Sequence, residues 1–437
     1  MIDANIAAAS SSYGSGDIRL KKNSPLIQAG NDMAEPKARV GRMVLATFIA
    51  AFGPLSFGYA LGYSSSALLD FEKESDAAVK FTESQGSWFS ALITIGAILG
   101  GPLGGWMIEA LGRKSGIMAC GIPFEIGWLL ICYAKNHLML YFGRLICGIA
   151  VETPVWLLAH NKRHDAVKAL EWFKGPTIDT ENECYAIESA MDDNQHITCS
   201  EFCKPAILKP LFISLMVMFF QQFCGVNAVI FNCAAIFKDA GFENAKAVSI
   251  IVATVQFFGT GCACLIMDKA GRKLLLWTAA LGMAISLVAL GIYFYIYIPG
   301  DGKPTEGLIH GIHHTVPASK ISWLAILSLM LFNLAFSLAW GPVPWLLMSE
   351  LFPLKARGIA ASISTLFNWS MAFVVTKTYV NFETTLTVPG TYWLYGCVSF
   401  VAFLYVLFFL PETKGKSLEE IEMLFDKNKS SSYRPIE

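Results

Sequence analysis

Ten stretches of this sequence are apolar, uncharged or nearly so, and close to the length a helix needs to cross a bilayer. They run at about 43–65, 87–108, 115–134, 138–159, 210–237, 247–267, 274–297, 321–349, 358–380 and 391–410. A hydrocarbon core of roughly 30 Å takes about 20 residues at 1.5 Å rise each. Only helices and closed barrels satisfy their backbone polar groups there. At this length the stretches predict an all-α polytopic membrane protein. Composition agrees where it bears on the point: 54% of residues are hydrophobic and 15% charged, with a mean hydropathy of +0.49, too little polar material for a soluble surface of this size. A formal net charge of −1 gives no electrostatic grip on nucleic acid.

The basic residues set an orientation. With the N-terminus in the cytosol and sides alternating, 24 of the 33 lysines and arginines fall inside and seven outside, leaving Arg144 and Lys377 within spans. That bias predicts cytosolic N- and C-termini. Residues 1–42, rich in Ser, Gly and Lys, read as a disordered cytosolic segment, and the first long apolar stretch is too long for the core of a signal peptide. The expected organisation is a first membrane half at 43–159, a cytosolic linker at 160–209 with an amphipathic helix around HDAVKALEWF, a six-span second half at 210–410 and a cytosolic tail at 411–437. The fourth stretch is poor. Only Leu138–Val151 is mainly apolar, so to cross it must carry Arg144, Glu152 and Pro154.

One span is unlike the others. Pro210–Phe237 carries no charge before its end but holds the amides of Gln221, Gln222, Asn227 and Asn232. An amide in hydrocarbon is costly unless its donors and acceptors are met, so these groups should face protein or a wet cavity. A neutral amide both donates and accepts, which suits an uncharged polyhydroxyl ligand. On a straight helix Gln222 and Asn227 are about 140° apart. A break at Gly225 would bring them onto one wall. Hydrogen bonding between packed helices is the competing reading.

Two loops repeat. Glu109-Ala-Leu-Gly-Arg113-Lys114 follows the second stretch, and Asp268-Lys-Ala-Gly-Arg272-Lys273 follows the second stretch after the linker. Two copies at matching places indicate duplicated halves. Val151-Glu-Thr-Pro and Pro411-Glu-Thr-Lys form a second pair, each closing a half. The cysteines show no metal or disulfide spacing. His310, His313 and His314 in the 298–320 loop read as a solvated loop, and no metal site or cofactor is expected. No nucleophile–base set is visible, so the chain is not expected to be an enzyme.

Together GRLICG (Gly143–Gly148), QQ-x-x-G-x-N (Gln221–Asn227), GPVPWLLMSELFP (Gly341–Pro353) and PETKG (Pro411–Gly415) resemble the sugar porters of the major facilitator superfamily. The resemblance runs from about Pro36 through nearly the whole chain. PLSFGYALGYSS and the loop lengths are similar to class III facilitative glucose transporters. The resemblance implies a major facilitator fold with a sugar site at the midplane, formed by Gln221, Gln222, Asn227, Gln256, Trp345 and Asn368. It also implies gating salt bridges at the inside face among Glu109, Arg113, Asp268, Arg272, Glu350 and Arg357. Pro342 and Pro344 would disturb their helix, as suits a gate.

The same resemblance exposes departures. The chain passes from GRLICGIAV directly to ETPVWLL, so the family's fifth and sixth helices are expected to be absent, leaving an incomplete N-terminal half and about ten spans instead of twelve. Loss of two spans preserves the orientation of the second half. The family's acidic dileucine signal is reduced here to Leu26-Ile27 behind Lys22, leaving a sorting adaptor and the choice of plasma membrane or endosomal–lysosomal vesicles open. The implied function is facilitative transport of a hexose such as glucose across a lipid bilayer. Two alternatives stand beside it: a non-transporting splice product that retains a sugar-binding half, and a proton-coupled symporter. Ala60 occupies the place where the family's symporters carry an acid, which favours uniport. Glu125 is the remaining acid in a span that could carry a proton.

Overall fold

The structure, a computed structural model, describes residues 41, 48, 52–73, 80–111, 113–155, 199–242, 244–297, 322–353, 356–416 and 418–425. The Leu26-Ile27 pair, the amphipathic linker segment and the three loop histidines lie outside them. Nearly all the described residues fall in one compact unit, Phe48–Asn161 with Glu188–Glu437.

All regular structure among the described residues is helical. The first half contributes α1 (Phe52–Lys73), α2 (Glu83–Leu111), α3 (Arg113–Cys132) and α4 (His137–Val155). After a short α5 (Cys199–Phe202) come α6 (Pro205–Phe223), α7 (Val226–Asp239), α8 (Ala245–Ala270), α9 (Arg272–Tyr297) and α10 (Ser322–Ala335). A π-helical turn, Phe336–Trp340, leads into α11 (Val343–Leu351), α12 (Arg357–Phe409) and α13 (Leu418–Phe425). Among the described residues six helical runs are long and apolar enough to cross a membrane, and two further apolar cores, Cys120–Cys132 and His137–Ala150, are shorter. The last two predicted spans form one run, α12, broken at Thr387, whose φ of 72° and ψ of 164° interrupt the helix just before Pro389.

The two repeated loops occupy matching places. One joins α2 to α3 and the other joins α8 to α9, where Gly271 takes a φ of +88° that an L side chain rarely adopts. The second proposed pair does not match in structure. Glu152, Thr153 and Pro154 continue α4 as helix, whereas Glu412 and Thr413 are non-helical. The reason is local: α4 runs straight on through Val155, while in the second half Leu410 is already extended.

GRLICG shapes the first half. Gly148 of that motif meets Gly96 on α2, where a Cβ on either would run into the other helix's backbone. The two backbones therefore touch, as small residues allow in membrane helices. Arg144, the charge within the fourth stretch, turns inward and is fully buried. It donates to the carbonyls of Ala60 (2.5 Å) and Phe89 (3.3 Å) and to the Ser64 hydroxyl, with its guanidinium 5.0 Å from the centre of the Phe89 ring.

In the second half the last part of α12 seats against the helix break and α9. Tyr392 stacks on Phe294 at 5.4 Å, and the Tyr395 ring lies against Gly225. The first half offers a groove between α1 and α3 with no such occupant among the described residues. Leu55, Tyr59, Trp128 and Leu129 line it together with Glu125. Glu125, expected as an acid buried in a span, is instead exposed on this groove, because no described element packs over that face of α3.

The halves meet at one end, where α1 finishes and α2 and α8 begin. The Ala234 N–H donates to the Ser65 hydroxyl at 3.0 Å, and Lys246 pairs with Asp70 at 2.5 Å. Further in, Ala97 and Ile98 of α2 pack on Trp369 and Ala372 of α12.

Candidate functional site

The break foreseen at Gly225 is present. Gly225 adopts φ 85° and ψ 12° between α6 and α7, a left-handed conformation that glycine takes without steric cost. The break carries Asn227 back towards Gln222, and the Asn227 amide donates to Gln222 Oε1 at 2.6 Å. Gln222 Nε2 donates to Asn368 Oδ1 at 3.0 Å. Asn368 Nδ2 donates to Gln221 Oε1 at 2.6 Å and contacts the Met218 sulfur at 3.2 Å. Gln221 Nε2 donates to the carbonyls of Trp340 (2.7 Å) and Gly341 (3.2 Å). Four amides predicted from two separate stretches thus form one chain linking α6, α7, α12 and the π-helical turn.

The turn explains the last link. Pro342 and Pro344 have no N–H to donate, so the regular ladder fails and the segment widens into a π-helix. A regular α-helix would have residue 344 donate to the Trp340 carbonyl. That residue is a proline, and Gln221 supplies the donor instead. Trp340 itself is fully buried and its indole N–H donates to the Leu276 carbonyl at 2.9 Å, which locks the turn against α9.

The remaining predicted site residues divide. Trp345 on α11 is half-buried against the cluster of Leu211, Met218, Met348 and Phe352, one contact from the amides through Met218. Gln256 is half-buried on α8, and none of the bonds of the amide chain reaches it. Asn232 turns back on its own helix, to the Ala228 carbonyl at 2.9 Å. Sequence reasoning missed Tyr395, which is 1% exposed, packs on the break at Gly225 and has a hydroxyl without a partner among the described residues. Its span reads as uniform core, so no signal in the sequence distinguishes it.

At the opposite end of the second half a polar knot joins two of the predicted gating residues. Arg272 bonds Glu350 Oε1 through Nε (3.0 Å) and Nη2 (2.9 Å), and Thr413 donates to Glu350 Oε2 at 2.6 Å. The Glu412 carboxylate accepts the backbone N–H groups of Arg272 (3.0 Å) and Lys273 (3.1 Å). An anion is favoured there because the first N–H groups of α9 are otherwise unmet and the helix dipole is positive. Every partner described in the knot belongs to the second half. Arg357 does not join it and donates to the Phe352 carbonyl at 3.2 Å. The side chains of Glu109, Arg113 and Asp268 lie outside the described residues.

The family model for "Sugar (and other) transporter" matches the chain in two blocks, residues 46–151 and 152–425. The chain belongs to the sugar transporter family. Among its relatives, the bovine (Bos taurus) "Solute carrier family 2, facilitated glucose transporter member 8" is 33% identical over 478 aligned positions, covering 93% of this chain and 98% of the relative. The Anopheles gambiae "Facilitated trehalose transporter Tret1" is also 33% identical, covering 91% of this chain and 59% of the mosquito protein. Among solved structures, the inward-open form of the xylose transporter XylE from E. coli superimposes with a TM-score of 0.65 at 22% identity, covering 88% of this chain and 100% of XylE. That likeness shows the major facilitator fold for this sugar transporter family member.

Proposed function

We propose that this sugar transporter carries a hexose, glucose, down its gradient by rocking of its two halves about the amide chain. The observation that carries the reading is the state of those amides. Gln221, Gln222, Asn227 and Asn368 are nearly buried, and each bonds another member of the chain. A sugar hydroxyl both donates and accepts, so it can replace one amide partner and leave no group unmet. Such an exchange gains little net free energy, which suits a carrier that must release what it binds. Gln222 and Asn227 keep slightly more exposure than Gln221 and Asn368, so they are the pair a sugar reaches first. Trp345 lies one contact from Asn368, through Met218.

The surroundings of Arg144 support uniport. Its hydrogen-bond partners among the described residues are two carbonyls and a serine hydroxyl, none of which takes up a proton near neutral pH. Arg144 therefore has no carboxylate partner at Ala60 through which proton loading could be coupled to the sugar.

This reading also includes two absent spans in the first half. It draws support from the division of the family match between residues 151 and 152. The alignment with the bovine relative supports it too, running over 478 positions against the 437 residues of this chain. The exposed Glu125 groove and the bareness of α8, most of whose apolar length is unburied, fit the loss of neighbouring helices. They favour, as a second reading, a chain that binds sugar in its second half but moves it poorly. Titration calorimetry of the purified protein with glucose and with trehalose tests the substrate. Heat with glucose is expected, and binding of trehalose alone would overturn the hexose assignment.

A further inference from the structure

Lys377 lies in the middle of α12 and is one of two cations within spans. Its neighbours come from the other half of the molecule. Its ammonium sits 4.5 Å from the centre of the Trp88 ring and 3.4 Å from the Ser87 hydroxyl. The same hydroxyl donates back to the Lys377 carbonyl at 3.3 Å. Trp88 also meets Phe373, one turn away on α12, at 6.1 Å between rings. The start of α2 therefore grips α12 by a cation–π contact, two hydrogen bonds and an aromatic pair.

We infer that Lys377, with Ser87 and Trp88, is the latch that holds the outer end of the two halves closed over the amide chain, a role that rests on the proposed alternating access. Three features carry it. First, Lys377 is nine residues beyond Asn368 on the same helix, about 13 Å further along the axis, so the grip lies on the outer side of the amides in the orientation that the basic residues set. Second, the Ser65–Ala234 bond and the Asp70–Lys246 pair join the halves at the same end. The latch is thus part of a seam and not an isolated contact. Third, the chemistry is reversible. A lysine is a strongly hydrated cation on a flexible stem. Closed, it needs the ring and the hydroxyl to offset lost water. When the halves part at that end, water replaces both. A leucine there would hold the seam by packing but would expose bare apolar surface on opening, and a carboxylate would lose the ring contact.

Thr376 provides the readout. It is 3% exposed, next to the latch, and its hydroxyl has no partner among the described residues, so Thr376→Cys removes no hydrogen bond. A membrane-impermeant maleimide is added to cells in which surface biotinylation shows this variant at the plasma membrane, and labelling of that peptide is followed by mass spectrometry. With the latch intact, labelling is expected to be slow. Adding Lys377→Ala or Trp88→Ala should speed it several-fold by shifting the population towards outer opening, while Lys377→Arg, which keeps the cation over the ring, should leave it slow. Unchanged labelling in both Ala variants overturns the latch, and so does equal acceleration by Lys377→Arg, which would indicate general loosening. Sugar flux is scored separately. A latch that responds as expected in a chain that neither binds nor moves sugar would overturn the transport reading and leave the latch standing.

Discussion

Gln221 donates its side-chain amide to the Trp340 carbonyl at 2.7 Å, the carbonyl that Pro344 cannot serve. A side chain on one broken helix thus completes the backbone of another. The two breaks, at Gly225 and at the π-helical turn, are held to each other, and the amides between them are placed by both. Gln221 is therefore a brace first, and in the proposed sugar site a ligand only second.

Removal of the brace should show as lost stability. Gln221→Ala leaves the Trp340 carbonyl and an Asn368 amide hydrogen unmet in a buried site. Each buried unmet group costs about 1–3 kcal/mol. Thermal unfolding of the purified variant should start clearly below that of the parent. An unchanged midpoint would mean that water reaches the turn and that Gln221 does not support it.

Gln222→Ala and Asn227→Ala should instead act on the ligand. Both side chains lie at the more exposed end of the chain, and neither serves the backbone of another helix. Loss of a partner for a sugar hydroxyl costs about 1–3 kcal/mol. Glucose affinity measured by calorimetry should fall in both, with less change in the unfolding midpoint than for Gln221→Ala. Unaltered affinity in the pair would remove the amides from the sugar site.

The break at Gly225 makes a third case. A Cβ there would lie 2.5 Å from the Tyr395 ring, on a backbone with φ 85°. Gly225→Ala is penalised twice, by left-handed strain of roughly 1 kcal/mol and by overpacking of about 1–3 kcal/mol. Tyr395→Leu should recover only the second part. Full rescue by Tyr395→Leu would show that the left-handed turn is not needed.

Much of this arrangement is legible in the sequence, and the limits have physical causes. Amides in an apolar span must find partners, so Gln221, Gln222 and Asn227 declare themselves, and a glycine between them marks where the helix can turn. Prolines at 342 and 344 announce a disturbed helix, although not a π-turn capped from elsewhere, because the capping residue is 119 positions away. Arg144 reads as a liability in isolation. Its partners are backbone carbonyls and a serine, which carry no pattern. Exposure is equally hidden: Glu125 lies in an apolar run, but whether a neighbour covers it depends on helices that are distant in sequence. Tyr395 and the Lys377–Trp88 contact depend on which helices pack together, which periodicity alone does not give.

Uncoupled transport has its own test. With Arg144 held by the Ala60 and Phe89 carbonyls and the Ser64 hydroxyl, sugar entry into liposomes should be the same with and without an imposed pH step. A form given two further spans between Val151 and Glu152 is the better subject, since its flux is expected to be larger. Accumulation of sugar above its external concentration, driven by protons, would overturn uniport and return attention to Glu125.

The last expectation concerns this chain as it stands. Its sugar flux should be much lower than that of a form with two further spans between Val151 and Glu152. Alternating access needs each half to seal the cavity when the other end opens. The second half is well built for this, with a continuous core from α6 to α13 and a polar knot at Glu350. The first half is not. Its α1–α3 groove leaves Glu125 on an apolar face, where a carboxylate facing lipid near mid-membrane costs about 2.5–3.5 kcal/mol on insertion scales. Arg144 escapes that cost because α1 and α2 enclose it, but no described helix does the same for Glu125 or for the bare face of α8. In the proposed site sugar binding rests on the amides of the second half, so it should outlast transport. The comparison is glucose uptake per molecule at matched membrane levels for this chain and the restored form, with calorimetric binding measured on both. Similar binding with a large difference in uptake is the expected result. Equal uptake would show that four helices suffice for the first half to move and seal.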